Sequence, residues 1–442
     1  MKQLFVPCVC ILLLMCCKPH DEAYKTVLSD PILYCKTVKK LNNVVLENNF
    51  APMIAARNYA YANIAAYEVM AAGSTKYGSL GGQLNGLKTL TVLDTVNVDF
   101  HLAAMLAFIK VGNAVTFPEG SMMEAYDHLK HLADSTGMPE ERLESSVRFS
   151  DSVVAHIMRW SKQDFYLKTR SAEKYTITEE EGRWVLTPPA YAQALEPHWK
   201  EIRVMMLDSC GQFMPPRPVP YNIKDKNSAY YKQLMTVYDT GDSLNEEQKH
   251  MADFWDDNPF KLNVTGHIMF ATKKFSPAGH WMNIVGIAAQ KDKADFEKTV
   301  AAYALTSIAL FDGFISCWDE KYRSNYIRPE TVINKYISPE WQPYIQTPPF
   351  PAYTSGHSVI SAAAAEVMTH FYGDNFSYRD SSEREFGIAD RNFPSFRKAA
   401  LEVSMARLYG GIHYPMDVEN GTQQGVRIGN FILQKLKWER KQ

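Results

Sequence analysis

Apolar residues recur at three- and four-residue intervals along most of this chain, and few stretches alternate strictly, so the pattern predicts helices more than strands. The segment "PMIAARNYAYANIAAYEVMAA" (52–72) is Ala-rich with that spacing, and 97–115 and 140–162 behave alike. Helical patterning returns at 246–258, 262–291 and 293–317, then from Ser358 to Tyr372, and again at 383–390, 394–409 and 416–437. Between these blocks, 163–226 is polar, aromatic and interrupted by Pro188, Pro189, Pro197, Pro215, Pro216, Pro218 and Pro220. Its aromatic content favours packing, so it reads as a long ordered loop laid over part of the fold. The apolar run 300–318 has the length of a membrane span, but Asp312 interrupts it and polar sequence flanks it, which predicts a buried core helix. The expected class is all-α, largely a helix bundle.

Composition changes this picture mainly by exclusion. Lys and Arg (47) nearly balance Asp and Glu (49), so no basic excess exists to drive counterion release, and nucleic acid is excluded as the main partner. A cationic site, if present, must be local. The first residues, "MKQLFVPCVCILLLMCCKPH", place a lysine before an apolar run too short to span a bilayer, which reads as an export signal. The run ends at Cys16-Cys17 and looks like a bacterial lipoprotein signal (1–17), with Cys17 as the lipid-modified first mature residue; a plain signal cut further along is the alternative. The expected location is therefore the bacterial cell envelope, periplasmic or surface-exposed, with membrane contact only through a lipid anchor. Beyond this region only Cys35, Cys210 and Cys317 remain, widely spaced, which suits structural thiols better than a disulfide framework.

Three short segments carry candidate chemistry. In "KYRSNYIRP", Lys321 and Arg328 stand seven apart, close to two helical turns, so both can lie on one helix face, while Arg323 points elsewhere toward solvent. In "PAYTSGHS", a Pro-punctuated turn delivers Ser355, Gly356 and His357 to the start of an Ala-rich helix, where free backbone N–H groups and the dipole favour an anion. In "ARLYGGIHYPMD", Arg407 precedes His413 by six residues across Gly410 and Gly411. Asp417 follows His413 by four, a spacing that lets a carboxylate hold one imidazole nitrogen and present the other. Each segment alone reads as ordinary helix punctuation; together they assemble three cations, a hydroxyl, a helix N-terminus and two imidazoles, the parts of a tetrahedral-oxyanion site.

The ordered pattern K-x6-R-P, S-G-H and R-x5-H-x3-D resembles the superfamily shared by vanadium-dependent haloperoxidases and type-2 phosphatidic acid phosphatases. One departure is Thr354, where that family usually has proline before Ser-Gly-His. The segments 52–70 and 276–285 also resemble the bacterial haloperoxidase-like branch. The resemblance implies a haloperoxidase/acid-phosphatase helical domain over 251–437, preceded by an additional N-terminal helical region over 24–250.

It further implies that Lys321, Arg328, Ser355, Gly356 and Arg407 hold vanadate or phosphate. His413 would bond the central atom, vanadium or phosphorus, with Asp417 orienting it. His357 would be the acid/base. Trp318 and Phe350 fall where fungal-type chloroperoxidases have aromatic residues lining a halide pocket; simple packing is the other reading. The expected function is vanadate-dependent oxidation of halide by hydrogen peroxide. The alternatives are a phosphomonoesterase working through phosphohistidine with no cofactor, and a non-catalytic phosphate- or vanadate-binding lipoprotein. His267 and His280 are expected to pack in helices, a ligand role for either being the lesser reading, and His20, His101, His128 and His131 carry less weight still.

Overall fold

Helix starts in this chain are set by short polar side chains and prolines. The computed structural model describes residues 22–440 apart from 92–93, 260 and 266–267. The signal segment 1–17 with its Cys17, and also His20 and His267, therefore lie outside the described residues. After a short α1 (Ala23–Leu28), α2 (Pro31–Glu47) begins with Asp30 accepting from the Ile32 N–H and with Pro31 in the first turn. Next come α3 (Pro52–Gly73), α4 (Phe100–Val115), α5 (Met123–Ser135), α6 (Glu140–Ser161) and the short α7 (Tyr166–Arg170). The helices α8 (Ala229–Asp242) and α9 (Glu246–Phe254) follow a long irregular segment, and α9 opens with an Asn245/Gln248 capping box.

The expected helical stretch 262–291 is only half helix. Lys261–Thr265 (β1) pairs antiparallel with Ile268–Thr272 (β2), and α10 starts at Pro277 and runs to Asp292. The sequence explains the boundary: Ser276 caps α10 and Pro277 occupies its first turn, so the helix cannot extend upstream. Then come α11 (Phe296–Ser324), α12 (Pro329–Tyr336), α13 (Gly356–Tyr372), α14 (Phe396–Tyr409) and α15 (Pro415–Lys435). The expected helix at 383–390 is instead a single 3-10 turn, Ser382–Phe386, between two three-residue strands, β3 (Tyr378–Asp380) and β4 (Arg391–Phe393). The class is all-α.

One large apolar core, including Tyr24, Phe108, Phe311, Ile360 and Trp438, joins the N-terminal and C-terminal helices. At its centre runs α11, the one described helix long and apolar enough to cross a membrane; its apolar stretch is entirely buried in protein. Asp312 sits in mid-helix with no exposed surface, and its carboxylate accepts the N–H groups of Met205, Met206 and Leu207 at 2.7, 2.7 and 3.1 Å. The proline-rich segment is therefore an ordered strap fastened to the central helix. Cys35 and Cys317 are buried free thiols, and Cys210 is a half-buried one.

The pairing of α13 with α15 fixes the site. Gly421, Gly425 and Gly429 line one face of α15, four residues apart, and lie directly on the α13 backbone. A Cβ on Gly425 would fall 2.0 Å from the Val359 carbonyl oxygen, and one on Gly429 2.7 Å from that of Ala363. Only the missing side chains let the two helices approach this closely.

Candidate active site

The three segments singled out in the sequence meet in the interior. Ser355 caps α13, its Oγ accepting from the Ser358 N–H at 3.3 Å and from the Ser358 hydroxyl at 2.9 Å. Its own N–H donates to the Asp417 carbonyl at 3.0 Å, which ties the Ser-Gly-His turn to the start of α15. Gly356 opens α13 in a crowded place: a Cβ there would meet Trp318 Cζ3 at 3.4 Å and Lys321 Cε at 3.9 Å. His413 lies in the turn between α14 and α15, which is made by Gly411 in the left-handed region (φ +77°). The His413 Nδ1 is 2.9 Å from Asp417 Oδ2, and that oxygen also accepts the Tyr414 N–H at 3.1 Å. The carboxylate holds the proton on Nδ1 and leaves Nε2 with its lone pair.

Lys321 and Arg328 do not share a helix face as their spacing suggested. Asn325, left-handed at φ +47°, ends α11 just after Lys321, and Arg328 is the N-cap of α12. The sharp turn between the helices brings the two cations together around Phe350, 4.9 Å (Lys321 Nζ) and 5.1 Å (Arg328 Cζ) from its ring centre. Arg323 is not free in solvent either; it pairs with Asp319 and Glu320. Lys321 Nζ donates to the carbonyls of Pro351 and Ala352 at 2.8 and 3.0 Å. Arg328 donates through Nε to the Phe350 carbonyl at 2.9 Å and through Nη1 to the Ile412 carbonyl at 2.7 Å; Nη1 also faces His413 Nε2 at 3.2 Å. Arg407 donates through Nη1 to the Trp255 carbonyl at 2.7 Å.

These contacts position three cations against carbonyl oxygens, with carboxylates such as Asp417 and Asp257 acting on them only at a distance. Lys321 and Arg328 have no exposed surface and Arg407 almost none, yet among the described residues none forms an ion pair with a carboxylate. Arg328 Nη2, Arg407 Nε, His357 Nε2 and Asp417 Oδ1 are buried and have no hydrogen-bond partner among the described residues. Leaving buried charge uncompensated is costly, so the cluster is built for an anion that supplies both charge and acceptors. Burial lowers the pKa of Lys321 and brings that of Arg328 down to about 9. Both histidines are held well below the usual imidazole range, by burial first and then by the cations around them; each feels Arg407, Lys321 and Arg328. Asp417 is raised by burial. In the anion-free protein the two imidazoles are therefore neutral at pH 7, one with a lone pair aimed at the guanidinium cluster.

Trp318 and Phe350 pack beside this cluster, their rings tilted by 55° with centres 5.0 Å apart. The strap closes over them: Leu195 accepts from Trp318 Nε1 at 3.2 Å and from the Tyr322 hydroxyl at 2.7 Å, and its N–H donates to the Pro349 carbonyl. Thr354, in place of the usual proline, is fully buried and donates to Gln424 Oε1 at 2.9 Å, without touching an anion-facing group.

Comparison with known structures identifies the fold and the family. A bacterial vanadium-dependent iodoperoxidase superposes with a TM-score of 0.87 at 42% identity, covering 92% of this chain and 97% of that one. The chain belongs to the vanadium-dependent haloperoxidase family. The family model for the VCPO second helical-bundle domain matches residues 301–440, the part that holds every anion-facing residue described above. Holo-type and apo-type bacterial vanadium-dependent chloroperoxidases share the haloperoxidase fold at 16% identity, with TM-scores of 0.63 and 0.65; they cover 87% and 88% of this chain and 92% and 94% of their own. No curated protein sequence gives a match.

Sequence reasoning missed the residues behind Arg407. His280 does pack, as expected, stacked on Trp255 with ring centres 4.5 Å apart, but its two nitrogens face Asp257 and Asp380. Asp257, His280, Asp380 and the neighbouring Glu383 come from three distant segments, so no local spacing could have announced the group.

Proposed function

We propose that this haloperoxidase binds vanadate and oxidises halide with hydrogen peroxide at the site formed by Lys321, Arg328, Ser355, Gly356, Arg407 and His413. One observation carries the reading: among the described residues, three buried cations without a carboxylate ion pair surround an imidazole whose Nε2 lone pair, facing Arg328 Nη1, is kept available by Asp417. The orphaned Arg328 Nη2, Arg407 Nε and His357 Nε2 fit the oxygens of a tetrahedral oxyanion, and a side chain at 356 would fill the space beside Lys321. Vanadate, when bound, supplies a Lewis-acidic centre that activates hydrogen peroxide for attack by halide.

The protein's part is to bind, orient and move protons. His413 ligates through Nε2, with Asp417 fixing its tautomer. Arg328 and Arg407 supply directional N–H donors, Lys321 a point charge, and Ser355 and the Gly356 N–H the remaining contacts. His357 Nε2 is the group that exchanges a proton with the incoming peroxide, which its suppressed basicity permits at neutral pH. Trp318 and Phe350 form the apolar wall on the halide side. The similarity to an enzyme described as an iodoperoxidase favours halide oxidation over phosphate-ester hydrolysis, favours vanadate over no cofactor, and makes iodide the first halide to test. The chain is further proposed to be exported and anchored by lipid at Cys17.

The test is triiodide formation by the purified protein with vanadate, hydrogen peroxide and iodide, with bromide in parallel. Turnover that requires vanadate and disappears in His413→Ala supports the reading. Hydrolysis of a phosphate ester that vanadate inhibits, with no halide oxidation, overturns it.

A further inference from the structure

We propose a second, structural metal site in this protein: one divalent transition-metal ion held by His280 Nδ1 and the carboxylates of Asp257 and Glu383. The three ligating atoms lie within 4.8 Å of one another, in a region with almost no solvent exposure. Asp257 Oδ1 is 2.9 Å and Glu383 Oε1 3.7 Å from the same imidazole nitrogen, so both carboxylates face one side of the ring. The opposite nitrogen, Nε2, is 3.0 Å from Asp380 Oδ2. Asp380 is itself immobilised, its other oxygen accepting from the Ser382 N–H and hydroxyl at 2.9 and 2.6 Å. A histidine with its far N–H held by a fixed carboxylate, and its near nitrogen turned toward two more, has the arrangement that orients a metal-ligating imidazole.

Glu383 supplies the independent sign of a missing ligand. Its side chain is fully buried, and neither carboxylate oxygen has a hydrogen-bond partner among the described residues. The lysine beside it, Lys274, has Nζ 3.8 Å from Oε2 and donates instead to the Asp253 carbonyl at 2.7 Å. One imidazole nitrogen with carboxylate oxygens suits zinc or manganese better than a soft or purely oxygen-seeking ion.

The site would brace the oxyanion centre from behind. Asp257 follows α9, His280 is in the first turn of α10, and Glu383 lies in the 3-10 turn beyond β3, so an ion would tie three separate segments together. His280 stacks on Trp255, and the Trp255 carbonyl holds Arg407 Nη1. The proposed ion is thus a positioning element for Arg407 and takes no part in the redox chemistry.

The experiment uses the full-length vanadate-loaded protein, dialysed against zinc or manganese and then against metal-free buffer. Vanadium and the divalent metals are counted separately by plasma mass spectrometry. The expected result is one retained divalent ion per chain, its loss in Glu383→Gln and in His280→Gln, and affinity about tenfold or more weaker in Asp380→Asn. Cobalt loaded at the site should show visible d–d absorption that is absent in Glu383→Gln. A wild-type protein that retains no divalent ion overturns the proposal, whatever the fate of the variants. So does an ion that Glu383→Gln keeps with unchanged affinity. Because vanadium is counted independently, failure of this site is distinguishable from failure at His413.

Discussion

Asp417 shows how one side chain can set the chemistry of another without touching substrate. Its Oδ2 takes both the His413 Nδ1–H and the Tyr414 N–H, and it is fully buried. In Asp417→Asn the shape persists but the charge goes, and the imidazole is free to carry its proton on Nε2, where the lone pair is needed. Vanadate affinity or turnover should fall about 10- to 100-fold, with little change in thermal stability. Titrating activity with vanadate separates the two effects, and near-normal half-saturation and turnover would rule out an orienting role. The depressed basicity of His357 and His413 makes a second prediction. Burial and three cations keep both neutral without an anion; a bound anion offsets those cations at His357, whose Nε2 stays open to a proton, whereas His413 has Nδ1–H on Asp417 and Nε2 committed to the anion. Anion binding must then take up protons, so vanadate affinity falls as pH rises. Calorimetry in buffers of different ionisation enthalpy measures the uptake directly; a buffer-independent heat would contradict it.

At the scale of elements, the glycines of α15 do what no side chain could. Gly425→Ala would put a methyl 2.0 Å from the Val359 carbonyl oxygen and force α13 away, carrying Ser355, Gly356 and His357 with it. The expected cost is about 3 kcal/mol, together with weaker vanadate binding. Gly373→Ala, at φ +94° and ψ +161°, a region open essentially to glycine alone, but with open space around it, should cost about 1–3 kcal/mol and leave vanadate binding alone. Urea denaturation and vanadate titration of both variants check the contrast; equal effects on binding would sink it. The helix that starts at Ser355 was legible in the sequence, because cap, periodicity and propensity agree there. The hairpin 261–272 was not, because short apolar strands and helical segments share the same pattern. The three-part oxyanion motif was legible because each part is local. The partnership of Lys321 with Arg328 was right for a wrong reason, since a left-handed Asn325, invisible to periodicity, supplies the turn. The group around His280 was illegible because only tertiary contacts assemble it.

For the whole molecule, Asp312 connects the strap to the central helix, and through the strap to the wall of the site. Its carboxylate accepts three backbone N–H groups from residues 205–207, all on buried or nearly buried positions, while Leu195 of the same strap accepts from Trp318 and Tyr322. Asp312→Ala leaves those donors without an acceptor. At a penalty of about 1–3 kcal/mol for each unsatisfied buried group, partly offset by no longer burying a carboxylate, a net loss of about 3 kcal/mol is expected. The loss should appear first as faster amide exchange across 195–210, and only then as global unfolding. Its pH dependence has a definite sign. Burial raises the Asp312 carboxyl to about 6, against the three N–H groups that pull it down. A carboxyl whose folded pKa lies above its unfolded one binds protons more tightly in the folded state. Its contribution is therefore complete below the unfolded pKa and shrinks as pH rises through about 6. The stability gap between wild type and Asp312→Ala should consequently be about 1 kcal/mol wider near pH 5 than near pH 8. Paired urea titrations at the two pH values cancel the titration of every other group common to both proteins. A gap that narrowed on acidification would mean that the ionised carboxylate, rather than the protonated one, is the form this interior prefers.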